Sequence, residues 1–116
     1  MNFKFAHNNF NVKDLDKSLK FYEEALGLKE VRRKEAEDGS FIIVYLGDGE
    51  TTHKLELTWL RDWEKDHYDL GDNEFHLAFI VDDYEQHIRN TKRWAASASR
   101  IRRWAFTSSS IRTTTG

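Results

Sequence analysis

At 116 residues the chain has the length of one domain, and the lack of cysteine excludes disulfides and thiolate metal sites, leaving His, Asp and Glu as possible ligands. The net charge of -2 joins two unlike segments: residues 1–85 hold 11 Lys+Arg and all 20 Asp+Glu, whereas residues 86–116 hold 7 Lys+Arg and no acid. No apolar run reaches the roughly 18 residues that cross a membrane, and Met1 to Ala6 lacks a signal-peptide core, so the expectation is a soluble, cytoplasmic protein.

In chain order, Phe3 to Val12 alternates as a strand does, and Asp14 and Asp16 offer N-caps for a helix. Leu15, Leu19, Tyr22 and Leu26 form one helical stripe, and Gly27 is placed to close the helix in the left-handed conformation. Three further strands are predicted over Lys29–Ala36, Phe41–Leu46 and Lys54–Trp59, with turns at Asp38-Gly39 and Gly47-Asp48-Gly49. This is a βαβββ unit, an α+β arrangement in which the helix covers one sheet face and the other stays open. On the last strand Leu55, Leu57 and Trp59 share one face and Lys54, Glu56 and Thr58 the other; an acid at Glu56 is costly to bury without a partner. Arg61 to Glu74 is a polar connection with Trp63 and His67, and a second helix is expected from Asp82-Asp83-Tyr84.

The chain also starts twice. His7, Phe10, Val12 and Asp14 recur with the same spacing as His76, Phe79, Val81 and Asp83, a repeat of 69 residues. Strand alternation turns each histidine away from the side on which its Phe and Val pack. Two equivalent imidazoles therefore lie on uncovered faces, and a cation near them would partner Glu56. His53, His67 and His87 lack such support and read as surface residues.

These pieces, His7 through Asp14-Leu15 with Phe21-Tyr22 and Leu26-Gly27-Leu28, Tyr45-Leu46-Gly47, Leu55-Glu56-Leu57-Thr58, and His76 through Asp82, resemble the vicinal-oxygen-chelate superfamily, most closely its glyoxalase I (lactoylglutathione lyase) members. The resemblance implies paired βαβββ modules of the glyoxalase/bleomycin-resistance type, of which the second is incomplete here, in a homodimer. It implies a divalent metal (Ni, Zn or Co) held by His7, Glu56 and His76, with Glu56 also catalytic. The implied reaction isomerises the hemithioacetal of methylglyoxal and glutathione, or another thiol, to the S-lactoyl thioester. Asn11, and Leu60, stand where the family has polar or basic substrate contacts. Trp59 reads more often as core or rim than as a substrate stacker, though an aromatic rim would suit a small adduct. The family's fourth ligand is a Glu on the last strand of the second module, after an Asp-Pro-Asp-Gly-Tyr run; no acid follows Glu85 here, which implies impaired activity. Two other readings of the same residues are an Fe(II) ring-cleaving dioxygenase relative, using two His and one carboxylate, and a metal-free binding protein of the bleomycin-resistance type.

The domain expectation is a first module and connection over residues 1–74, the start of a second over 75–85, and an aberrant basic tail over 86–116 that is not natively folded. Back-translated with permitted codons and read one base earlier, the tail can spell a peptide containing Asp-Pro-Asp-Asp-Tyr-Trp, so it has the character of a shifted reading frame. Trp94 and Trp104 among arginines also suit single-stranded nucleic acid, but no folded nucleic-acid motif accompanies them, and neither nucleic acid nor membrane is expected as a partner.

Overall fold

A computed structural model describes residues 2–83, 85, 86, 89, 90 and 111–115. Two compact units, Met1–Asp66 and His67–Gly116, are taken in turn.

In the first unit β1 (His7–Asn11), α1 (Leu15–Leu26), β2 (Lys29–Glu35), β3 (Phe41–Gly47) and β4 (Lys54–Leu60) follow in the expected βαβββ order. The sheet order is β1-β4-β3-β2, with β1 parallel to β4 and the other pairs antiparallel. The segment before His7 is irregular, so the first strand is shorter than its alternation suggests.

Asp14 caps α1 by accepting from Lys17 N at 3.1 Å. Gly27 (φ 69°) ends it, its N–H donating to Glu23 O at 2.9 Å while Leu28 N donates to Tyr22 O at 3.1 Å, so the last carbonyls are satisfied. The buried stripe is Leu15, Ser18, Phe21 and Tyr22, rotated from the expected Leu15, Leu19, Tyr22 and Leu26; Leu19 and Leu26 are half-buried at its margin. Ser18 is the buried polar member of that stripe. Against this stripe pack Val12, Leu28, Val44, Leu46, Leu55 and Leu57, the apolar members of alternating strands. Burial pushes the Tyr22 phenol above its usual range.

Both turns fall where Gly and Asp predict them. Gly39 (φ 74°) donates to Ala36 O at 3.0 Å, and Asp48 accepts from Glu50 N (2.9 Å), Thr51 N (2.7 Å) and the Thr51 hydroxyl (2.7 Å). Those donors hold the Asp48 carboxyl at about 2.

In the second unit β5 (Leu77–Val81) pairs in parallel with β6 (Ile111–Thr115). Leu77, Phe79 and Val81 are half-buried, whereas Ala78 and Ile80 are exposed. Residues 85, 86, 89 and 90 are helical, and Asp83 accepts from Gln86 N at 3.0 Å as an N-cap does. The expected tail over 86–116 thus includes a strand at its far end; His87, Trp94 and Trp104 lie outside the described residues. Among the described residues no helix is long and apolar enough to cross a membrane.

Candidate metal site on the open sheet face

Register decides which side chains share the uncovered face. On β1 the residues Asn9 and Asn11 lie opposite Glu56 and Thr58 of β4, and on β3 Tyr45 and Ile43 lie opposite the same two. Their neighbours Leu55, Leu57 and Val44 point to α1. A face with His7, Asn9, Asn11, Tyr45, Glu56 and Thr58 results, with Arg32 continuing it on β2.

The centre is a carboxylate–imidazole pair. His7 Nε2 stands 3.2 Å from Glu56 Oε2; the Glu56 side chain is 14 % exposed and that of His7 43 %. The Glu56 carboxylate, strand partner of Tyr45 across β3 and β4, together with partial desolvation pushes the Tyr45 phenol up while the Arg32 charge pulls it down. The Tyr45 ring meets the His7 ring edge-on (centroids 5.4 Å, 80°), and the Arg32 guanidinium lies 5.4 Å from the Tyr45 centroid.

The Asn9 amide can be placed two ways. In one, Thr58 Oγ1 donates to Asn9 Oδ1 at 2.7 Å and Asn9 Nδ2 to Asn11 Oδ1 at 2.9 Å. That sets one acceptor against another, since the same Asn9 atom is 3.0 Å from Glu56 Oε1; turned over, Nδ2 donates to Glu56 Oε1 (3.0 Å) and Thr58 Oγ1 (2.7 Å). The second orientation matches an ionised Glu56, and Thr58 Oγ1 lies 3.4 Å from Oε1 to add its own proton.

Of the expected site residues, His7, Glu56 and Asn11 come together on this face. Trp59 pairs with Ile42 and falls on the alternation of Leu55 and Leu57, the helix side of β4, away from the Glu56 face. Leu60 is opposite Phe41 at the end of β4. His76 is an exposed residue of the second unit immediately before β5, on the alternation of Ala78 and Ile80. His53 is no plain surface residue: half-buried, its Nε2 meets Asn8 Oδ1 at 2.8 Å. Asn9, Tyr45 and Thr58 are missed by motif spacing, although two-residue alternation from His7 and Glu56 already aligns Asn9 and Thr58 with them.

Among the described residues no three His, Cys, Asp or Glu side chains form a group able to hold a metal ion, so the first unit supplies a pair. That pair fits a divalent ion: ligand atoms about 2.1 Å from a metal are about 3.0–3.4 Å apart in octahedral or tetrahedral geometry, and the two donors stand 3.2 Å apart.

An α1-covered mixed sheet, with a polar pair on its open face, defines an α+β protein of the βαβββ module class. The chain belongs to the Glyoxalase/Bleomycin resistance protein/Dioxygenase superfamily, whose sequence profile matches residues 4–103. It is 34 % identical over 97 residues to the lactoylglutathione lyase of Neisseria meningitidis, covering 84 % of this chain and 70 % of that one. Two solved structures are similar: glyoxalase I from Zea mays (TM-score 0.67, 30 % identity, 78 % of this chain and 32 % of that one) and the trypanothione-dependent glyoxalase I of Leishmania major (TM-score 0.68, 28 % identity, 80 % and 67 %). By these relationships the chain is a lactoylglutathione-lyase-like member of the superfamily, and it spans about a third of the maize protein.

Proposed function

We propose that the chain is a metal-dependent glyoxalase I-like lyase that isomerises the hemithioacetal of methylglyoxal and a thiol to the S-lactoyl thioester. The observation that carries the reading is the His7 Nε2–Glu56 Oε2 approach of 3.2 Å on the open sheet face. The first-module ligands would be His7 and Glu56, joined by His76, and the protein would act as a homodimer. The similar proteins include both a lactoylglutathione lyase and a trypanothione-dependent enzyme, which supports glutathione or a related thiol as the co-substrate of this reading.

A divalent ion (Ni, Zn or Co) bound there supplies Lewis acidity to adjacent substrate oxygens. Glu56 is the group placed to move a proton: it takes one from the carbon bearing sulfur and hydroxyl and returns it to the neighbouring carbonyl carbon, with no net change of atoms. Without a metal, His7 Nε2 stands 3.2 Å from Oε2, and with one it would be the ligand beside that oxygen. Residues 86–116 hold no Asp or Glu to stand where the family has its second carboxylate, and the turnover expected of this sequence is low on that account. The test is thioester formation from methylglyoxal and glutathione by the nickel-loaded chain. Trace turnover is expected, raised at least about 100-fold when the frame is restored after Glu85. Rapid turnover by the 116-residue chain would contradict the impairment.

A further inference from the structure

Glu56 sits on the central strand β4 between β1 and β3, and its carboxylate is largely enclosed. An ionised carboxylate so placed requires donors, and it has about four acceptor positions to fill. Three strands provide them. Asn9 on β1 is the register partner of Glu56 and reaches Oε1 at 3.0 Å; Thr58, two residues along β4, lies 3.4 Å from the same oxygen. Tyr45 on β3 is the partner on the other side, and its ring also stands edge-on to His7. One tyrosine is therefore the strand partner of Glu56 and the ring neighbour of His7.

We infer that Tyr45 and Asn9 are positioning residues for Glu56: Asn9, with Thr58, engages Oε1, Tyr45 braces the carboxylate from β3, and Oε2 is left as the oxygen presented beside His7 Nε2. The bracing is a property of the metal-free first unit, and only its consequence for metal affinity rests on the proposed function. A phenylalanine at position 45 would preserve the ring contact with His7 and remove only the hydroxyl. A residue that merely filled space would not notice that change.

Two measurements test this. In metal-free protein, a thermal double-mutant cycle combines Tyr45→Phe with Glu56→Gln. The Tm losses are expected to fall short of additivity by about 2–4 °C, because one variant removes the phenol inferred to brace the carboxylate and the other removes the charge that it braces. In calorimetric titration with nickel chloride, Tyr45→Phe and Asn9→Ala are each expected to weaken binding about tenfold, as loss of an outer hydrogen-bond partner does. The visible spectrum of the cobalt-substituted Tyr45→Phe variant is expected to shift, which a purely structural role would not cause. Additive Tm losses would overturn the inference whatever the nickel result. A wild-type chain that takes up no nickel while the cycle stays non-additive would overturn the metal-dependent reading and leave the positioning of Glu56 standing.

Discussion

Leu57 and Glu56 are neighbours on one strand yet face opposite worlds, so substituting Leu57 by Ala probes the fold without touching the site. Leu57 is 0 % exposed, lies across from Phe10 on β1 and Val44 on β3, and belongs to the layer under α1. Truncation removes three carbons from a site held on both sides by paired strands, so little collapse is possible and the cavity persists. The expected loss is about 3 kcal/mol, the middle of the range for buried Leu→Ala changes, which lowers Tm by on the order of 10–20 °C. Differential scanning calorimetry with and without nickel measures it, and nickel affinity below the transition should stay within threefold of wild type. A loss below about 1 kcal/mol would refute the placement of Leu57 at the centre of the core. A nickel affinity that collapses with an intact fold would refute the separation of the two sheet faces.

Other consequences concern the helix ends and titration. Asp14→Ala should cost about 1 kcal/mol by removing the cap on Lys17 N, read as a lower urea midpoint with unchanged slope. Gly27→Ala should also cost about 1 kcal/mol: space for a Cβ is open there, so the penalty comes from the φ of 69° alone. Asp48 titrates at about 2 in the fold against an ordinary 3.8, so its stabilisation is complete above pH 3.8 and fades as pH falls through 2; Asp48→Asn should flatten that part of an acid-unfolding curve. The Tyr22 phenol is raised by burial, so stability should decline as pH rises past its ordinary 10.0, where only the unfolded chain ionises; Tyr22→Phe should remove this alkaline slope.

Much of the first unit was legible because each element carries its own local signal. Asp14 and Gly27 bracket the helix, Asp38-Gly39 and Asp48-Gly49 set the turns, and alternation of Leu55, Glu56 and Leu57 assigns the faces of β4. The same alternation, followed two residues further, places Trp59 with Leu57 on the helix side of β4, away from Glu56. Apolar periodicity pointed to Leu19 in the helix stripe, whereas the fold buries Ser18 and leaves Leu19 half-buried. Tyr45 could not be found from spacing, since its place opposite Glu56 depends on the β3–β4 register, which is set by pairing between segments rather than by any motif. β6 was equally hidden: Ile111–Thr115 carries few apolar residues, and its pairing with β5 joins residues more than 30 positions apart.

Binding of a divalent ion by Glu56 and His7 is the step on which the proposed reaction depends. It is tested most directly by the nickel content of the purified chain after loading and gel filtration, measured by mass spectrometry beside Glu56→Gln and His7→Ala, with intact mass confirming each chain. Stoichiometric nickel in the wild type, lost in both variants while they remain folded, is the result expected. Equal nickel in all three, or none in the wild type, would contradict it.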